Sequence, residues 1–190
     1  MGSYGSKIQL EDSDLEDIEK ETGFTKSQIK RLYSRFSNLD KGMEGRLSRN
    51  DFLRIPEFSI NPLSRRLLDL FFIENGDTDG CNFRQFVRTL ARFRPETDGP
   101  NPLNTREEKL RFAFKIYDVN NDGKISQDNI VKILEMMVGE CKSGDQLRAI
   151  AERTLMESDM DKDGYIDFPE FKKVMELTDF QSKMSIRFAS

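Results

Sequence analysis

The chain has 190 residues and a formal net charge of −4, long enough to bury one large core or two small ones and too mildly acidic to mark nucleic acid as a partner. It contains no histidine, which excludes hydrolytic triads, His-bearing zinc sites and the usual general base, together with the ordinary proton switch near neutral pH. Cys81 and Cys141 stand far apart and read as buried small hydrophobes in a reducing, intracellular setting, since MGSYGSKIQL lacks a secretory apolar run and no stretch approaches the roughly 20 apolar residues of a spanning helix.

Helical periodicity gives repeated pairs of amphipathic helices, each pair bracketing a polar loop of similar length. Thr25 and Gln28 form the first capping box, ahead of a helix carrying Ile29, Leu32, Tyr33 and Phe36 at i, i+3, i+4, i+7. Asp40 begins its loop, and the returning helix starts near Ser48 and stops at Pro56. Asn61 as cap and Pro62 at the first helical position launch the next helix, with Leu63, Leu67, Leu70 and Phe71 on its inner face. The segment 94–104, RPETDGPNPLN, is too rich in Pro, Gly and polar residues to continue a helix; it reads as a linker between an N-terminal lobe, 1–93, and a C-terminal lobe, 105–190. Beyond it Thr105 with Glu108 caps a helix carrying Leu110, Ala113, Phe114 and Tyr117. Gly139 suits the end of the helix after that, and Ser143 with Gln146 caps one carrying Leu147, Ile150 and Leu155.

The bracketed loops read as coordination chemistry. Calcium takes about six to eight oxygens, and the EF-hand supplies them from loop positions 1, 3, 5, 7, 9 and 12, with glycine at 6 for the turn. DMDKDGYIDFPE meets every position: Asp159, Asp161, Asp163, the Tyr165 carbonyl, Asp167, and Glu170 as bidentate closer, with Gly164 at 6 and Ile166 at 8. Its carboxylates crowd around one point and repel, which a divalent cation resolves. DVNNDGKISQDN matches through Asp118, Asn120, Asp122, Gly123, the Lys124 carbonyl and Ser126, but closes on Asn129, which is neutral and at most monodentate. Calcium affinity falls there and a six-coordinate magnesium-like site becomes relatively less disfavoured, so calcium, magnesium and no ion all stay open for that loop.

The two earlier loops are poorer. DKGMEGRLSRND keeps Asp40, Glu44, Gly45 and Leu47 but has Gly42 where a ligand belongs and the short Asp51 as closer. ENGDTDGCNFRQ threads only with an insertion and ends on Gln85. Neither is expected to hold a metal; an apolar position 8, such as Leu47, serves to join paired loops back to back. The expected fold is all-α and two-lobed, four helix–loop–helix units of EF-hand type with short β-bridges between paired loops.

With the segments ETGFTKSQIKRLYSRF, DFLRIPEFSINPL, NFRQFVRTLARFRP, KLRFAFKIYD and KMSIRF, the chain resembles the calcineurin B homologous proteins, close relatives of the regulatory subunit of calcineurin, almost from end to end. The resemblance implies two degenerate N-terminal EF-hands and metal sites in the C-terminal half; Asn129 departs from the glutamate that it implies at that position. It further implies an accessory subunit of a plasma-membrane Na+/H+ exchanger, supporting pH regulation by gripping an amphipathic helix of the exchanger's cytoplasmic tail. MGSYGS fits the N-myristoylation pattern at Gly2, with Ser6 at the required place, and the family is similar in carrying that lipid. The expected location is then cytoplasmic, peripheral at the inner face of the plasma membrane, with a second contact needed because one myristoyl chain anchors only marginally.

Two other functions compete. One is a free calcium-triggered sensor whose groove would be lined by Met136, Met137, Met156 and Met175. The other is a regulatory or inhibitory partner of a calcineurin-type phosphatase, which the same kinship implies. The amphipathic helix pairs suit a groove for a partner helix, with the tail from Phe180 to Phe188 either covering that groove or docking permanently on the C-terminal lobe. No catalytic constellation is legible, so enzyme activity is not expected.

Overall fold

The structure, a computed structural model, describes residues 10–74, 76, 80–95, 101–139 and 143–176; Gly2, Cys141 and the tail from Phe180 to Phe188 lie outside the described residues. In chain order the helices are α1 (Asp12–Thr22), α2 (Lys26–Leu39), α3 (Arg49–Leu53), α4 (Pro56–Ser59), α5 (Ser64–Glu74), α6 (Phe83–Arg92), α7 (Arg106–Tyr117), α8 (Gln127–Val138), α9 (Gly144–Ser158) and α10 (Phe168–Glu176). The expected all-α EF-hand scheme is what forms. Among the described residues β-structure is confined to the loops: β1 (Arg46–Leu47) runs antiparallel to β2 (Cys81–Asn82), with Leu47 opposite Cys81. Ile125 and Ile166 make the matching bridge in the other loop pair, each N–H donating to the other's carbonyl at 2.9 Å.

Contacts divide the chain into two units: the described residues up to Ile60 with Phe71–Thr105, and Asn61–Leu70 with the described residues from Arg106 onward. In the first unit α1, α2 and α6 pack together over Leu15, Ile18, Ile29, Leu32 and Val87. Aromatic edges fill the rest, with Phe52 and Phe71 at 5.0 Å and Phe36 and Phe83 at 5.5 Å between ring centroids. The Thr25–Gln28 capping box forms as expected, Thr25 Oγ1 accepting from Gln28 N. The preceding helix α1 was not legible as an element from sequence; it buries Leu15, Ile18 and Thr22 and ends at Gly23, whose φ of 70° a side chain would resist. Arg94 and Asn101, from the Pro- and Gly-rich segment, donate to the Thr22 and Glu21 carbonyls at 2.9 and 3.1 Å and so tie off that helix end.

In the second unit α7, α8, α9 and α10 close around Leu110, Phe114, Ile125, Ile130, Ile166 and Phe171. Phe114 meets Phe171 edge-on at 5.5 Å. Three sequence details differ from expectation. α5 begins at Ser64 and not at Pro62, because Asn61 Oδ1 accepts from Leu63 N at 2.8 Å and holds Pro62 in a turn before the helix. The buried face of α5 takes in Leu68 and Phe72 beside Leu70 and Phe71, with Leu63 and Leu67 only half-buried. On α9 Ile150 is 40% exposed and small Ala151 is the buried residue, while Ser143 is the N-cap without a side-chain capping bond.

Candidate metal centre

The first, third and last loops share one backbone frame. The first aspartate accepts N–H bonds from positions 5 and 6: Asp40 from Glu44 and Gly45 at 3.0 and 2.7 Å, Asp118 from Asp122 and Gly123 at 3.1 and 2.9 Å, Asp159 from Asp163 and Gly164 at 3.2 and 2.8 Å. The glycines at position 6 have φ of 72°, 85° and 86°, the left-handed region that only glycine enters freely. Position 4 lies there too, in Met43, Asn121 and Lys162, with φ of 53°, 55° and 62°. Only Asn121 is of a type that enters this region readily; at Met43 and Lys162 the turn imposes it, at a local cost that the position-1 carboxylate offsets. The first loop thus keeps the frame although Gly42 stands where a ligand belongs and Asp51 is a short closer.

The decisive difference lies at positions 9 and 12, which form the N-terminal capping box of the exiting helix in all four loops. In the last loop, Glu170 Oε2 accepts from Asp167 N at 3.0 Å and Asp167 Oδ1 accepts from Glu170 N at 2.9 Å. That leaves Oε1 for the loop, where it accepts from Met160 N and Asp161 N at 2.6 and 3.2 Å. Among the described residues, Asp159, Asp161 and Glu170 are brought together as a possible cation-holding group, their carboxylate oxygens within 4.8 Å of one another. Asp163 and Asp167 are not part of that group: Asp163 Oδ1 accepts from Tyr165 N at 2.9 Å and Asp167 Oδ1 serves the cap. An all-oxygen, mostly anionic donor set fits a hard divalent cation of calcium type.

The third loop spends its only closing oxygen on the cap. Asn129 Oδ1 accepts from Ser126 N at 3.1 Å, Ser126 Oγ accepts from Asn129 N at 3.2 Å, and Asn129 Nδ2 donates to Asn120 Oδ1 at 3.3 Å. Turning the amide over would set its NH2 against the Ser126 N–H, so the cap fixes a donor toward the loop where a cation needs an acceptor. Asn120 Nδ2 in turn donates to Asp122 Oδ2 at 2.7 Å, and Lys124 N to Asp122 Oδ1 at 3.0 Å. Hydrogen bonds within the loop thus occupy its oxygens. In the first loop Asp51 Oδ2 caps Ser48 N at 2.9 Å while Oδ1 takes Arg54 Nη1 at 3.0 Å, and in the second Gln85 Oε1 caps Asn82 N at 2.8 Å. Residues 75 and 77–79, where the insertion in the second loop would fall, lie outside the described residues.

Two functional neighbours were missed in sequence. Lys124 was read only for its carbonyl, yet its Nζ lies 2.6 Å from Asp163 Oδ2 and 4.9 Å from the Tyr165 ring centroid. Asp163 is held below its ordinary value by that hydrogen bond, and Lys124 is raised by the same bond. Asp161 is raised: a backbone hydrogen bond at Asp163 pulls it down, but desolvation and the carboxylates of Asp163, Glu170 and Asp159 together outweigh it. The other is Arg66 on α5, 6% exposed, which donates to the carbonyls of Lys115, Ile116 and Asp118 at the end of α7 and the start of the third loop. Of the methionines proposed for a sensor groove, Met136, Met137 and Met156 are exposed and Met175 packs against the core.

Paired helix–loop–helix units, joined loop to loop by antiparallel bridges and wired alike at position 1, define an EF-hand protein. Residues 107–176 match the family model for an EF-hand domain pair. The chain is 41% identical to the calcineurin B subunit of Naegleria gruberi over 98% of its length and 99% of the relative's. It is 36% identical to the calcineurin B subunit of Candida glabrata over 100% and 99%, and 40% identical to the type 2 calcineurin B subunit of Dictyostelium discoideum over 87% and 86%. The chain belongs to the calcineurin B-like family of EF-hand proteins.

Proposed function

We propose that this chain is a calcium-binding regulatory subunit of a calcineurin-type protein phosphatase, with its cation held in the last loop. The observation that carries this reading is similarity over nearly the whole length to proteins that bear the name of calcineurin. The same similarity moves weight away from the Na+/H+ exchanger expected from the resemblance, since these relatives are named for the phosphatase. Asp159, Asp161, Asp163, the Tyr165 carbonyl, Asp167 and Glu170 would hold calcium, whose charge offsets their mutual repulsion. The third loop would hold calcium only weakly, because Asn129 has no oxygen left once its cap is made. The reading includes myristoylation of Gly2 and residence at the cytoplasmic face of a membrane as further parts of the proposal.

Co-expression with a calcineurin-type catalytic chain, and separately with a peptide copying a juxtamembrane exchanger helix, tests the partner. The expected result is a stable complex with the catalytic chain and calcium-dependent phosphatase activity. Capture of the exchanger helix alone would return the transporter reading to first place, and recovery of either partner only on calcium addition would favour the sensor.

A further inference from the structure

Lys124 and Tyr165 are the position-7 residues of the last two loops. Each precedes one residue of the bridge between Ile125 and Ile166, whose 2.9 Å hydrogen bonds hold the two loops in register. From that place the Lys124 ammonium reaches Asp163 Oδ2 at 2.6 Å and lies over the Tyr165 ring at 4.9 Å. Lys124 therefore gives its backbone to one loop and its charge to the other. We propose that Lys124 is the affinity-setting residue of the last loop: its ammonium neutralises Asp163 when no cation is bound and lowers the loop's affinity for divalent cations. The inference rests on the proposed cation site at Asp159 to Glu170 and deepens it.

Charge and not geometry is what Lys124 contributes. Asp163 Oδ1 is already held by Tyr165 N at 2.9 Å, so the side chain keeps an anchor without the lysine. A divalent cation taken up by the same carboxylates must share Asp163 with the ammonium and is repelled by it. Both partners are partly exposed, 46% and 39%, so water and salt weaken the effect without abolishing it. The expected size is roughly three- to tenfold in affinity at low ionic strength. The arrangement is one-sided, because the neutral Tyr165 offers no charge back to the third loop.

Calcium titration by calorimetry on the full chain, at low and at high potassium chloride, tests this with Lys124→Met, Lys124→Arg and Glu170→Gln. Lys124→Met is expected to bind calcium roughly three- to tenfold more tightly than the unaltered chain at low salt, with the gap closing at high salt. Lys124→Arg, which keeps the charge, is expected to stay near the unaltered affinity. Equal or weaker binding by Lys124→Met, or a gain that salt does not reduce, overturns the proposal while leaving the cation site in place. Absence of any calcium binding that Glu170→Gln removes overturns the site itself, and the role of Lys124 with it.

Discussion

At position 12 one side chain must both cap a helix and close a coordination shell, and the number of its oxygens decides whether it can do both. Glu170 has two, one on Asp167 N and one on Met160 N and Asp161 N. Glu170→Gln keeps an oxygen for the cap and turns an NH2 toward those two N–H groups, so it reproduces in the last loop what Asn129 does in the third. Calcium affinity is expected to fall by roughly tenfold or more, read by calorimetry; an unchanged isotherm would remove Glu170 from the site. The reverse change, Asn129→Glu, frees a second oxygen while retaining the cap to Ser126, and a second calcium-binding event is expected in the same titration. Ligand types and spacing were legible in the sequence because they are local and periodic. The capping bonds that use up the Asn129 and Asp51 oxygens were not, since the pattern names ligands and not the donors that compete for them. Cys81 is simpler: burial pushes its thiol up to about 12, with Arg46 opposing, so alkylation at mildly alkaline pH is expected to spare it until the protein is unfolded, as peptide mass mapping would show.

Among the elements, the helices announced by capping boxes were the legible ones, and the start of α5 was misplaced where a local side-chain bond makes a turn. Asn61 and Pro62 look like a cap and a first helical residue, but the Asn61 bond to Leu63 N makes a turn first and α5 begins at Ser64. Arg66 stands three residues after Leu63 and four before Leu70, on the inner face by periodicity, and it is buried although its charge argues for solvent. Its guanidinium donates to two carbonyls at the end of α7, Lys115 and Ile116, and to that of Asp118 at the start of the loop, a task that its planar fork of donors suits. Burial lowers its pKa, with Asp69 and Asp118 opposing that shift. Arg66→Met would strand those carbonyls away from water, and a loss of about 2–4 kcal/mol is expected in urea unfolding. Arg66→Lys should recover only part of it, because one ammonium cannot meet the three acceptors in the same geometry.

For the whole molecule, the open quantity is how firmly the proposed lipid would hold it to a membrane. The pattern at Gly2 is a sequence signal alone, since Gly2 lies outside the described residues. A single myristoyl chain supports binding of only about 10⁴ M⁻¹, and stable residence needs a basic patch, a second lipid or a membrane-bound partner. This chain offers no basic patch nearby: Lys7 is followed by Glu11, Asp12 and Asp14, and the net charge is −4. Anionic lipids should therefore repel it, in contrast to a polybasic anchor. The myristoylated chain alone is expected to sediment weakly with neutral vesicles and less with vesicles containing phosphatidylserine. Gly2→Ala should abolish both while leaving calcium binding unchanged. Mass spectrometry of the protein from eukaryotic cells checks the modification first, and an unmodified or acetylated N-terminus would rule the lipid out. Tight binding to anionic vesicles by the lipidated chain would instead show that a second membrane contact is built into the molecule, and the acidic segment after Lys7 could not be where it lies.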